Sequence, residues 1–125
     1  MPLLLQPAIS SDIPTLISIY FAAFQNPLAL NGFPDVPSVR KWWTEMIRTE
    51  FSDPNALFLK VVDQGENGEE VIAWAKWCGP VDKEPDVELP AWPEGGDHAL
   101  CDAFFSQLAE KHKEILGARR HWCTP

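Results

Sequence analysis

The chain has 125 residues, of which 46% are hydrophobic and 11% aromatic, and a formal net charge of −8. That suffices for one domain with one modest core and is too rich in aromatics for a wholly disordered chain. The charge disfavours polyanionic partners: residues 1–60 carry five acidic and four basic side chains and residues 61–125 thirteen and six, so the second half repels nucleic-acid backbones and anionic membrane surfaces alike.

"MPLLLQPAI" is apolar but short and has no basic flank, so it reads as a first strand, not a signal peptide or a membrane span. Ser10-Ser11-Asp12 signals a helix start, with Pro14 in the first turn where its missing N–H costs little. Ile13, Leu16, Ile17, Tyr20, Phe21 and Phe24 then recur at helical spacing, predicting a helix over about 12–25. "QNPLALNGFPDVP" reads as a loop. Asp35 or Ser38 caps a second helix, whose apolar stripe is Val39, Trp42, Trp43, Met46 and Ile47.

"ALFLKVVD" and "EVIAWAKWC" are strands, and Asn67-Gly68 between them is a hairpin signal. Aromatic and aliphatic residues alternate on both faces of the second, which predicts a central strand covered on both sides. Residues 79–96 form a long Pro-rich loop. Asp97 caps a third helix with Leu100, Ala103, Phe104, Leu108, Ile115 and Leu116 inward, and Gly117 fits the position just past its end. "ARRHWCTP" then begins another element. The predicted order is β-α-α-β-β-α, a single α+β (α/β) domain over residues 1–125 with a mainly antiparallel sheet.

Chemistry is sparse. Cys78, Cys101 and Cys123 have no framework spacing and fit a reducing cytoplasm. A free cysteine packs as a small hydrophobe more often than it acts as a nucleophile, and Cys78 has no base beside it in sequence. His98 and Cys101 stand at possible metal-ligand spacing. His112 is about 16 Å further along the same helix, beyond the reach of one ion, and His121 and Cys123 join only through tertiary folding. No metal site is predicted. "PEGGDHAL" resembles a phosphate turn, but Glu94 and Asp97 oppose an anion and no lysine follows, so it reads as a capped turn. Glu84, Asp86, Glu88 and Glu94 form an acidic loop that solvation explains, with an amine substrate as the sharper alternative.

The phrases "PAISSDIPTLISIYFAAF", "PSVRKWWTEMI", "ALFLKVVD", "EEVIAWAKWCGP", "LPAWPEGGD" and "CDAFFSQLAEKHKEILGARRHW" together resemble the N-terminal part of fungal GNAT-type N-acetyltransferases. The likeness covers nearly all of residues 5–122 and lies in the order of the phrases. It implies a GNAT-like fold and acetyl-CoA as the family cofactor. In that family a long strand and a glycine-rich turn, Q/R-x-x-G-x-G/A, follow the equivalent of "HW" and hold the coenzyme pyrophosphate. Here Cys123-Thr124-Pro125 follows and the motif does not occur, so relative to the family the chain is incomplete at its C-terminus. The expectation is no bound cofactor and no acetyltransferase activity from the lone chain.

What the resemblance carries over is the acceptor side: Phe24, Asn31, Phe33, Trp74 and Trp77 as ligand contacts. The expected function is a non-acetylating binding or interaction module. It pairs as a homodimer through an exposed strand Val71–Cys78 and the C-terminal stub, with only Lys76 to discourage strand pairing. The alternatives are a biosynthetic enzyme reusing the acceptor pocket without coenzyme A, and an acetyltransferase fragment completed elsewhere.

Overall fold

The first strand, β1 (Leu3–Pro7), pairs not with its neighbour in sequence but with β2 (Ala56–Gly65), antiparallel, with Leu5 opposite Val61. β2 in turn pairs antiparallel with β3 (Gly68–Cys78), so the sheet order is β1-β2-β3 with β2 in the middle. The computed structural model describes residues 2–80 and 89–123. Glu84, Asp86 and Glu88 of the acidic loop, and Thr124 and Pro125, lie outside the described residues.

The class is mixed α+β, as expected, but among the described residues β3 is an edge strand, not the central one that its two apolar faces predicted. The two faces differ in what meets them. Phe58, Val62 and Trp74 point toward the helices. Phe51 stacks on Phe58 with ring centroids 4.2 Å apart, and the Trp74 indole N–H donates to the Leu16 carbonyl at 2.9 Å. The opposite face carries Leu5, Leu57, Leu59, Val61, Ala75 and Trp77 by register, and Leu5, Leu57 and Trp77 are 68%, 42% and 37% exposed. Among the described residues this apolar face has no helix packed on it. One bulge, at Ile72, interrupts the hairpin ladder, since Val61 faces Ala73 and Val62 faces Val71. The hairpin turn is centred on Glu66 and Asn67, one residue earlier than an Asn67-Gly68 turn, and Gly68 supplies the positive φ of 104°.

A 3-10 turn at Ser10–Asp12 leads into α1 (Ile13–Ala23), as the start signal predicts. Asp12 accepts from the Ile9 N–H at 2.8 Å and pairs with Lys60 of β2 at 2.8 Å, tying the helix start to the sheet. The segment read as a loop contains a short helix, α2 (Pro27–Gly32). Its reason is local: the Asn26 side chain accepts from the Ala29 N–H at 2.9 Å, and Pro27 stands at the first helical position. Asn-Pro thus opens a turn of helix where it also suits a loop.

The next helix, α3 (Pro37–Phe51), has Val36 at its cap position and no side-chain cap. Asp35, expected there, forms a two-pronged pair with Arg40 at 2.5 and 3.0 Å, and Ser38 donates to the Glu94 carbonyl at 2.7 Å. Arg40 also lies 4.9 Å above the Phe21 ring. The apolar stripe is as predicted: Val39 and Ile47 are buried, with Trp42, Trp43 and Met46 partly so. Ile13, Leu16, Ile17, Phe21, Phe33, Val39, Ile47 and Phe58 form the core. Each such side chain contributes about 1.5–3 kcal/mol of burial before entropy is charged against it.

The last helix, α4 (His98–Leu116), is capped by Asp97, which accepts from the Leu100 N–H at 3.0 Å. It ends at Gly117, with φ 53°. It lies on α2 rather than on the sheet. Only Cys101 is fully buried, and Phe104, Leu108 and Ile115, expected inward, are exposed. Beyond it, Cys78 and Cys123 exchange both backbone hydrogen bonds, at 2.7 and 3.0 Å, so the stub touches the outer edge of β3 at one point. Among the described residues no helix is long and apolar enough to cross a membrane.

Candidate functional site

α4 reaches α2 by backbone contact. The Asp97 N–H donates to the Asn31 carbonyl at 2.9 Å, and a Cβ built on Gly96 would overlap the Gly32 oxygen. A side chain on Gly32 would meet the Cys101 sulfur at 3.1 Å. Glycines at these two positions let the helices close at this end. Further along they splay, and a cleft of about 400 Å³ opens between α1, α2, α3 and α4.

Its walls are nearly all apolar: Tyr20 and Phe24 from α1 and its end, Phe33 and Trp43, and Leu100, Cys101, Phe104, Phe105 and Leu108 from α4. Among the described residues no Asp, Glu, Lys, Arg or His lines it; the polar side-chain groups are the Asn26 amide, the Tyr20 hydroxyl and the Cys101 thiol. Aromatic packing stiffens the back wall. Tyr20 stacks on Phe24 with centroids 4.8 Å apart and leans on Trp43 at 4.9 Å, and Phe33 meets Trp43 at 5.4 Å. Burial, with a smaller part from Cys101, pushes the Tyr20 hydroxyl up to about 12, so it stays protonated. The Cys101 thiol is likewise raised, by burial first and then by Asp97 and Asp102, and its nearest acceptor is the Gly32 carbonyl at 3.7 Å. It is a poor nucleophile there. The indole nitrogen of Trp43 is buried with no hydrogen-bond partner among the described residues.

Of the five expected ligand contacts the structure brings two together. Phe24, 50% exposed at the rim, and Phe33, buried at the back, line the cleft. The other three do not. Asn31 offers its backbone carbonyl to Asp97. Trp74 is held in the core by Leu16, and Trp77 stands on the open face of the sheet. The α4 contribution was missed because Leu100, Phe104 and Leu108 read as core. The signal lay in the width of the stripe: Leu100, Cys101, Phe104, Phe105 and Leu108 cover more of the helix than one packed face requires.

The other candidates resolve into local contacts. His98 bonds the Pro93 carbonyl at 2.7 Å. His112 and His121 meet through their Nε2 atoms at 2.7 Å, and His121 Nδ1 contacts the Arg119 carbonyl at 2.6 Å. Among the described residues no group of three or more His, Cys, Asp or Glu side chains is placed to hold a metal. Burial raises the Cys78 thiol; Lys76 opposes this, while Cys123, Glu50 and Asp53 add to it. Lys76, expected to guard the strand edge, pairs with Glu50 of α3 at 2.8 Å instead.

The glycine turn before α4 does not fit a coenzyme pyrophosphate. Gly96 is pressed against Gly32, and the Asp97 carboxylate occupies the Leu100 N–H, one of the free N–H groups of the first turn of the helix. No family model, no curated protein and no solved structure matches this chain.

Proposed function

We propose that the chain is a non-acetylating binding module that takes a neutral, largely apolar small molecule in the cleft between α1, α2, α3 and α4. The observation that carries this is the lining: about 400 Å³ walled by aromatic and aliphatic side chains, with no charged one among the described residues. Sites of that volume and character bind small molecules by burial and use a few polar groups for orientation. Here the Tyr20 hydroxyl and the Asn26 amide serve that role. A protonated Tyr20 and a poorly nucleophilic Cys101 favour binding over covalent chemistry. The order of phrases that resembles the acceptor half of GNAT-type acetyltransferases supports the same reading, with Phe24 and Phe33 as its shared contacts. We place the module in the cytoplasm, in line with its three unpaired thiols.

The test is titration with a neutral apolar fluorophore such as N-phenyl-1-naphthylamine. Phe24→Glu and Leu108→Glu, both at the exposed rim, should lower its affinity at least tenfold. Leu5→Lys, on the open sheet face, should not. Unchanged binding in both rim variants overturns the reading. So does a rise in melting temperature with millimolar acetyl-CoA, since a ligand that binds the folded state adds RT ln(1 + [L]/Kd) to its stability.

A second reading concerns partners and rests on the edge and open face of the sheet: two copies associate there. Because Cys78 points its backbone groups outward, Lys76 and Trp74 do so too, while Ala75 and Trp77 face β2. The outer edge therefore offers groups unpaired among the described residues, beside the apolar patch of Leu57 and Trp77. Light scattering on the parent and on a Leu57→Lys/Trp77→Lys variant tests it. A dimer lost in the variant is the expected result, and a monomeric parent at high micromolar concentration refutes it.

A further inference from the structure

Cys78 ends β3 and Cys123 lies in the terminal segment, opposite each other in an antiparallel bridge. The Cys78 N–H donates to the Cys123 carbonyl at 2.7 Å, and the Cys123 N–H to the Cys78 carbonyl at 3.0 Å. Residues paired in this way have Cα atoms about 5.5 Å apart and side chains on the same face of the ladder. A disulfide spans Cα separations of about 4.4–6.8 Å, so the backbone is already within its range. The Cβ atoms of a hydrogen-bonded pair lie at the wide end of the cross-strand range, about 5.5 Å apart, against about 3.5–4.5 Å in a disulfide, and must close by about 1–2 Å. The terminal segment can supply that movement, because among the described residues this bridge is its single ladder contact with β3.

Two further facts single out the pair. Both thiols are half-buried, open enough for a small oxidant, whereas the third, Cys101, is buried against Gly32. The segment is also held in place by side chains two residues away: His121 bonds the Arg119 carbonyl and meets His112 of α4. In that contact His121, with Nδ1–H donating to the carbonyl, accepts at Nε2 from the His112 N–H.

We propose that Cys78 and Cys123 form a reversible intramolecular disulfide, a redox latch that fastens the terminal segment to the edge of the sheet. The oxidant is a low-molecular-weight disulfide of the glutathione class. One thiolate attacks a sulfur of that disulfide, forming a mixed disulfide and releasing one small thiol. The second cysteine, as thiolate, attacks the protein-bound sulfur, forms the Cys78–Cys123 bond and releases the second small thiol. The two cysteine sulfurs are oxidised, the reagent is reduced by two electrons to two thiols, and the protons of the two protein thiols end on them. The latch rests on neither the ligand cleft nor the pairing of two copies.

The latch covalently closes α4 and the segments on either side of it into one ring, which restricts the unfolded chain. The experiment uses the full chain, equilibrated with glutathione buffers of increasing oxidised fraction, then acid-quenched and alkylated. The expected product is a monomer lighter by two hydrogens, with one alkylatable thiol left out of three after denaturation and a tryptic cross-link joining Cys78 to Cys123. Its melting temperature should rise by about 10 °C and return on reduction. Cys123→Ser, outside the core, should abolish the cross-link and the shift, and Cys101→Ala should keep both. Peptide mapping of the parent decides the matter even if a variant misfolds. Glutathione adducts without an internal bond, a cross-link through Cys101, or covalent dimers on a non-reducing gel would each overturn the assignment.

Discussion

Gly96 stands so close to Gly32 that a Cβ added to it would overlap the Gly32 carbonyl oxygen and lie 3.0 Å from the carbonyl carbon. Neither partner is a flexible side chain, so the strain of a substitution cannot relax locally. Gly96→Ala is expected to destabilise the protein by about 1–3 kcal/mol, the usual cost of overpacking. It should also shift the start of α4 and weaken ligand binding in the cleft. Urea unfolding and a fluorophore titration check the two effects together. A variant as stable as the parent would show that the contact is not maintained in solution.

Trp43 and Trp74, both partly buried, make a contrasting pair. Trp74 donates to the Leu16 carbonyl, whereas the Trp43 N–H is buried without a partner. A buried unmet donor costs about 1–3 kcal/mol, while a made hydrogen bond contributes about 1 kcal/mol. Trp43→Phe should therefore change stability little, because losing the orphan offsets losing part of the ring. Trp74→Phe should cost about 1–3 kcal/mol, and Trp43→Ala about 3–5 kcal/mol for the emptied site. Chemical denaturation of the three variants ranks them; a Trp43→Phe as damaging as Trp74→Phe sinks the account.

Asp12 gives a pH dependence. Burial raises its carboxyl, but the Ile9 N–H and the Lys60 ammonium outweigh that and hold it below its ordinary 3.8. The folded-state value lies under the unfolded one, so the stabilisation is fully present above 3.8 and fades as the pH falls through the folded-state value. Asp12→Asn should cost about 1 kcal/mol near neutral pH, kept small by solvent screening. The gap between variant and parent should narrow as the pH falls below 3.8 and through the folded-state value. Thermal melts across that range measure it, and a gap independent of pH refutes it.

At the strand edge, Lys76→Pro and Lys76→Met separate two roles of one residue. Both remove the ion pair with Glu50, but only the proline removes the outward N–H. Both should lose similar stability, and only Lys76→Pro should weaken self-association in sedimentation runs.

Most of the secondary structure could be read from the residues. The stripe from Val39 to Ile47, the Asp97 cap, the Gly117 stop and the hairpin strands follow from spacing and local chemistry. What could not be read depends on partners distant in sequence. Trp74 and Trp77 look alike on opposite faces of one strand, yet one meets Leu16 and the other, among the described residues, meets no helix, because the described helices cover a single face of the sheet. Phe104 and Leu108 look like core, and only the close approach of Gly96 to Gly32 decides that α4 crosses α2 and leaves them along a cleft. The short helix at Pro27 was hidden because Asn-Pro begins turns and helices alike.

The pairing of Leu3–Pro7 with Leu59–Asp63 has a consequence for synthesis. The first strand leaves the ribosome long before its partner exists, and three helices are made in the meantime. The hairpin of β2 and β3 needs only a tight turn to form, whereas β1 must close a loop of some fifty residues to reach it. The edge on which β1 docks is therefore made last and from the inside outward. A nascent chain shorter than about β2 carries an apolar N-terminal strand with no sheet to join, and that interval is when it most needs a chaperone.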